Sequence, residues 1–208
     1  MSSADAPPAV DRRRRRREEI LDAAQRAFLE RGFHSTGIAD IANELQIGHG
    51  TVYRYFKNKQ DIASAVLDSV IERLAAVGLA ENPEASDDLP QYRAQVRRIL
   101  QGLLKLTTEH PRILTFLRRQ GLVIDPERLT TFHRSFATFT ARFLVNGVRK
   151  GFLRDDLDVD ATAEILVTII FEGATRALSD GDPDKAQRWV ESGMALMFDG
   201  IAAPDGAG

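Results

Sequence analysis

Residues 35–61 read STGIADIANELQIGHGTVYRYFKNKQD, two short helical patterns with a tight break between them. Ile38, Ile41, Ala42 and Leu45 recur at i, i+3, i+4 and i+7, one face of a helix about two turns long. Gln46-Ile47-Gly48 interrupts that pattern. Val52 and Phe56, four apart, then begin a second inward stripe, and Thr51, Tyr53, Arg54 and Tyr55 fall largely on other faces. A short helix, a break and a second short helix make a helix-turn-helix, whose second helix lies in the major groove of DNA. The plainer reading of the same pattern is a small helical pair with a polar face.

The side chains favour the first reading. Ala42 is small where two helices have to cross, and Ile47 and Val52 are β-branched plugs for a core beneath the turn. Gly48 and Gly50 clear bulk near the start of the second helix, so backbone N–H groups there can approach a phosphate. Thr51, Tyr53, Arg54, Tyr55, Lys57 and Lys59 supply hydroxyls and cations of the kind that meet phosphates and base edges. Arg54 and His49 are the candidates for base contacts; Thr51, Tyr53 and Lys59 are the candidates for phosphates.

At these residues the chain resembles the TetR family of transcriptional repressors. The family's signature is a helix ending in Gly-Phe, then T-x-x-x-x-I-A, a break, and G-T-[LV]-Y-x-[YH]-F-x-x-K. Here it stands as Gly32-Phe33, Thr36 to Ile41-Ala42, Gly50-Thr51-Val52-Tyr53-Arg54-Tyr55-Phe56 and Lys57-Asn58-Lys59, within residues 16–67. Two positions depart from it. Gln46 stands where the family usually has Gly, so a left-handed turn there would carry strain of ~1 kcal/mol. Gly48-His49 stands where Ser-Lys is common, so a histidine replaces one usual DNA-contacting cation. The resemblance implies an all-α protein with an N-terminal three-helix DNA-binding domain and a C-terminal helical domain for ligand binding and dimerisation.

Composition is compatible with this and excludes several alternatives. The chain has 208 residues with 43% apolar and 28% charged residues, ordinary for a globular protein. It has no cysteine, which excludes disulfides, Cys-ligated zinc and thiol catalysis, and fits a cytoplasmic location. The apolar run Ile165–Phe171 is far too short to span a bilayer, so no membrane partner is expected. Net charge is −2, but unevenly placed: residues 1–60 hold 11 Lys/Arg against 8 Asp/Glu, and residues 61–208 hold 17 against 22. The positive end coincides with the helix-turn-helix.

About nine helices are expected. Residues 1–15 read as a disordered basic arm, 16–60 as the DNA-binding domain and 61–204 as the effector-binding and dimerisation domain. Arg12–Arg17 are six consecutive arginines, either a solvated tail or a phosphate-tracking arm, with Arg16 and Arg17 nearest the module. Gly32 is the expected left-handed stop of the first helix, and Thr36 the expected N-cap of the second, a position where the resemblance implies a phosphate contact. Lys59 opens a helix running to Leu79, unfavourably for the dipole, which points to a phosphate as its partner. Residues 81–88 read as a polar linker, 90–108 and 113–120 as two further helices with Gly121 ending the second, and Pro126 to Lys150 as a long one.

Residues 161–178 are apolar nearly all round, so that helix needs cover on more than one side. With the last helix it is expected to form a two-fold interface of a homodimer through Ile165, Ile169, Trp189, Val190, Gly193, Met194 and Met197. Aromatic and polar residues between helices, namely Tyr92, Phe116, Arg119, Phe132, His133, Phe136, Phe139, Phe171 and Arg176, are the candidates for a small-molecule effector site; core packing is the plainer role for each aromatic. No histidine pair has metal-ligand spacing, no nucleotide-binding or hydrolase motif appears, and the acidic run 155–160 lacks the Gly and Glu of a calcium loop. No catalysis and no cofactor are expected. The partners expected are a double-stranded DNA operator and an effector. A constitutive DNA-binding protein without effector, or a helical enzyme carrying a DNA-binding module, are the alternative readings.

Overall fold

The computed structural model describes residues 9–110, 112–178 and 183–199, which are helix and connecting turn with no strand among them. The helices are α1 (Ala9–Arg31), α2 (Ile38–Glu44), α3 (His49–Tyr53), α4 (Lys59–Leu79), α5 (Leu89–Glu109), α6 (Arg112–Phe116), a π-helical turn (Leu117–Gly121), α7 (Leu122–Ile124), α8 (Pro126–Arg149), α9 (Val159–Leu178) and α10 (Pro183–Asp199). The all-α class is as expected. Gly121, however, does not end a helix: its φ of −56° is helical, and the chain continues through the π turn into α7.

The chain forms two compact units. One runs to Val70 and adds Thr115–Pro126; the other comprises Ile71–Leu114 and the chain from Glu127 onward. The expected border at residue 60 therefore falls inside α4, at Val70, and the first unit takes in a segment remote in sequence.

In the first unit, Ile20, Ala24, Ala27 and Phe28 of α1, Ile41 and Ala42 of α2, Val52 of α3 and Ile62 of α4 are all fully buried. The expected disorder of residues 9–15 is overturned, since α1 already begins at Ala9; residues 1–8 lie outside the described part. Arginine is a good helix former, and Arg14 and Arg16 pair along the helix with Asp11 (3.1 Å) and Glu19 (2.7 Å). Gly32 closes α1 at φ 82°, and Phe33 turns back edge-on to Phe28, ring centroids 5.6 Å apart. Gln46 has φ 53°, the one non-glycine residue in the left-handed region among the described residues, as its place in the break requires. The added segment is tied in by polar bonds. The Phe33 N–H donates to Gln120 Oε1 (3.2 Å), and Gln60 Nε2 donates to the Ile124 carbonyl (3.1 Å).

In the second unit, residues 81–88 are no loose linker. Arg98 grips Glu81 through two bonds of 2.6 and 2.8 Å. Ser86, Gln95 and Asn146 are buried. Ser86 donates to Gln95 Oε1 (2.9 Å), Gln95 to the Asn82 carbonyl (2.7 Å) and Asn146 to the Ser86 carbonyl (2.9 Å). Each buried polar atom thus has its partner, which makes such a network stabilising rather than costly. Asp88 caps α5 by accepting from the Gln91 N–H at 2.7 Å. Gly151 ends the α8 region at φ 77°. The apolar centre joins Tyr92, Phe143, Leu144 and Ala163, and beside it Leu100, Val190 and Met194.

Candidate nucleic-acid interface and apolar cavity

Helix α3 follows Gly48, which is extended (φ −69°, ψ 146°) and serves as its N-cap. Val52 is its buried residue, with Phe56 just beyond it 3% exposed. The remaining side chains turn outward. His49, Gly50, Tyr53, Arg54 and Lys57 are exposed, and Thr51 and Tyr55 are half-buried. Arg54 lies along the helix with Nη2 3.5 Å from Thr51 Oγ1. A Cβ added at Gly48 or Gly50 would meet nothing within 4 Å. The fold itself therefore does not demand glycine at either position; the clearance is on the side facing out.

Two residues expected at this surface are engaged inside the unit. Thr36 is 1% exposed, and its hydroxyl donates toward the Gly32 and Ala27 carbonyls at 2.8 and 3.1 Å. It is not the N-cap of α2; Gly37 is, with its N–H donating to Asp40 Oδ2 at 2.7 Å. Lys59 donates to the Phe33 and His34 carbonyls at 2.9 and 3.2 Å and lies 4.6 Å over the Phe33 ring. Its ammonium sits beyond the end of α1, where free carbonyls concentrate negative charge. The oddity of a lysine opening α4 is answered within the protein. On α1, the Arg17 guanidinium lies 5.2 Å over the Phe56 ring, so the base of the arginine run is anchored beside the end of α3. Arg12, Arg13 and Arg15 are exposed.

The second unit encloses a cavity. It holds about 830 Å³ of empty space, including the open solvent at its mouth, and its lining is almost wholly apolar. Helix α5 supplies Tyr92, Val96, Ile99, Leu100 and Leu103; α8 supplies Phe136, Phe139, Thr140 and Phe143; α9 supplies Leu166, Ile169 and Ile170; α10 supplies Trp189, Gly193 and Met197. Gly78, near the end of α4, completes the wall, and a Cβ there would press on Phe139 at 3.3 Å. Any side chain larger than hydrogen at Gly173 would overlap the Trp189 indole.

Of the candidate effector residues, Tyr92, Phe136 and Phe139 line this cavity. Phe132, His133 and Phe171 instead form an aromatic cluster in which Phe132 and Phe171 meet Phe136 and His133 meets Phe132 and Phe171, centroids 5.3–6.0 Å apart, and they do not line it. Partial burial there holds the His133 imidazole below its ordinary pKa. Phe116 is fully buried in the first unit and Arg119 is exposed there, so neither belongs to the cavity. The side chain of Arg176 lies outside the described residues. Val96, Ile99, Leu103 and Ile170 also line the cavity; an aliphatic residue on an inward stripe reads the same whether it faces a core or a cavity.

The profile of bacterial regulatory proteins of the tetR family matches residues 20–66, which hold both short helices. The probable HTH-type transcriptional regulator ArpR of Pseudomonas putida is 30% identical over 195 residues, covering 87% of this chain and 90% of its own. The chain belongs to the TetR family of transcriptional regulators. Among solved structures, the fatty acid degradation regulator FadR of Bacillus halodurans superimposes with a TM-score of 0.74 at 18% identity over 94% of this chain and 97% of its own. FadR of Bacillus subtilis, solved in complex with stearoyl-CoA, gives 0.69 at 20% identity over 89% of this chain and 99% of its own. At such identities the likeness establishes the fold.

For this TetR-family chain, α2 and α3 are the helix-turn-helix. The expected interface residues divide. Ile165 and Ile169 are exposed, at 58% and 44%, as is Leu196 at 50%. Val190 and Met194 are buried at 2% and 1% against Leu100 of their own chain, which takes them out of an intersubunit surface. Trp189, Gly193 and Met197 face the cavity. The stripes of α9 and α10 go to three destinations, with Ile169 both exposed and on the cavity wall, and periodicity cannot separate them. No helix among the described residues is long and apolar enough to cross a membrane.

Proposed function

We propose that this chain is a ligand-responsive repressor, binding a near-palindromic operator as a homodimer and leaving it when an effector occupies the cavity of the second unit. The observation that carries this reading is the outward face of α3: Val52 alone is buried there, and His49, Tyr53 and Arg54 stand exposed. Arg54 and His49 read base edges; Thr51, Tyr53, Tyr55 and Lys57 meet phosphates, with the backbone at Gly48 and Gly50 close to the strand. Arg16, Arg17 and their exposed neighbours on α1 add sequence-independent attraction. In the dimer two copies of α3 enter successive major grooves about 34 Å apart. The exposed isoleucines of α9 support a two-fold contact between copies.

Helix α4 starts in the DNA-reading unit at Lys59 and runs to Leu79, with Gly78 in the cavity wall, so a ligand bearing on Gly78 bears on the helix that both units share. The effector shifts the protein only by its unequal affinity for the DNA-bound and free arrangements. The solved complex of the B. subtilis FadR with stearoyl-CoA supports the general idea of a ligand in this fold.

The test is selection of bound sequences from a random DNA pool, followed by titration of two variants. Arg54→Ala relaxes preference at one base pair by ~1–3 kcal/mol. Lys57→Ala weakens all sequences alike and lowers the salt slope by ~1. Equal effects on specificity from both variants would refute the division of roles. A wild-type protein that enriches no sequence would refute the reading as a whole.

A further inference from the structure

We infer that the cavity takes an electrically neutral, largely apolar ligand with an acceptor oxygen that meets the Tyr92 hydroxyl. This rests on the effector reading above and narrows it to a chemical class: esters, ketones and alcohols of medium size rather than ionised acids or amines.

Two observations point the same way. First, none of the described lining residues carries a charge; the polar side-chain groups of the wall are the Tyr92 hydroxyl, the Thr140 hydroxyl and the Trp189 indole N–H. A carboxylate or ammonium drawn inside would lose its hydration with no counter-ion among the described lining residues to replace it. An ionised amphiphile must leave its head outside the mouth. A neutral molecule is taken in whole. Second, Tyr92 lines the cavity and is 2% exposed, its ring set against Phe152 and Phe198 with both centroids 5.7 Å away, and no protein group among the described residues hydrogen-bonds its hydroxyl. No side-chain oxygen among the described residues is both buried and without a partner, so this hydroxyl keeps a little accessible surface rather than being sealed in the core. A tyrosine hydroxyl with room left beside it on a cavity wall can take its partner from a ligand. Burial also raises the phenol's pKa, which keeps the group a neutral donor.

The protein carries its own reporter, because Trp189 is the sole tryptophan of the chain and lines the cavity. The experiment follows Trp189 emission of the full-length protein near neutral pH while methyl decanoate, decan-1-ol, sodium decanoate or butylbenzene is added. The expected result is that ester and alcohol bind at least roughly tenfold more tightly than decanoate. Tyr92→Phe, which keeps the ring packing, weakens the ester by roughly threefold to tenfold, the loss of one hydrogen bond, and leaves butylbenzene unchanged. Decanoate binding as tightly as the ester overturns the neutral class while leaving the effector reading standing. Equal weakening of ester and butylbenzene by Tyr92→Phe overturns the role of the hydroxyl. Emission that responds to no probe, in a protein that still binds its operator, overturns both the class and the effector cavity.

Discussion

The outward face of α3 and the cavity of the second unit differ in charge and in construction. Around α3, cations and hydroxyls stand in solvent within a few consecutive residues, held by Val52 and Phe56 beneath. Around the cavity, four helices each contribute several residues and α4 adds Gly78, and none of the described lining is charged. The first surface is fit for a polyanion, whose charge is met at long range in water. The second is fit for a molecule that gives up its water. A regulator with both keeps its two recognition problems physically separate: salt tunes one, hydrophobicity the other.

That contrast can be broken in stages. Val52→Asp places an unpaired carboxylate in the fully buried spot under α3, at a cost of at least about 4 kcal/mol. It abolishes DNA binding and lowers the thermal midpoint; a variant that folds and binds normally would show that α3 is not held from beneath. Gln95→Ala comes next. It leaves the Ser86 hydroxyl without its acceptor and the Asn82 carbonyl with only the Ala85 N–H as donor, for about 1–3 kcal/mol in urea denaturation, with operator sequence preference intact. Changed sequence preference in that variant would mean the two regions are not separable. Gln46→Gly is the smallest and of opposite sign. Relieving φ 53° at a non-glycine residue raises stability by about 1 kcal/mol, less the extra freedom glycine has in the unfolded chain. A destabilised Gln46→Gly protein would mean that the glutamine contributes more than its strain costs.

How far each region was legible follows from the range of its contacts. The α2–break–α3 stretch is decided within a few tens of residues, and Gly32, Gln46 and Val52 are where a local reading puts them. The bonds that Thr36 and Lys59 make within the unit are not legible locally because their partners, the Ala27, Phe33 and His34 carbonyls, are backbone atoms with no residue-type signature. The arginine run reads as a tail by composition, whereas helix propensity and pairing with Asp11 and Glu19 make it part of α1. For the cavity, Tyr92, Phe136 and Phe139 were within reach as large residues on inward stripes. Nothing local distinguishes them from Phe116 or Met194, which fill cores.

What the sequence by itself determined is the all-helical class, the family and the position of the reading helix, because those rest on short-range periodicity, caps and a compact motif. Tertiary structure alone decided that residues 115–126 join the first unit, that residues 81–88 are pinned by a buried polar network, and that α10 turns its inward face to a core and a cavity. The reason is that each of these depends on contacts between residues tens of positions apart, and the spacing of side chains along one helix carries no record of what lies across from them.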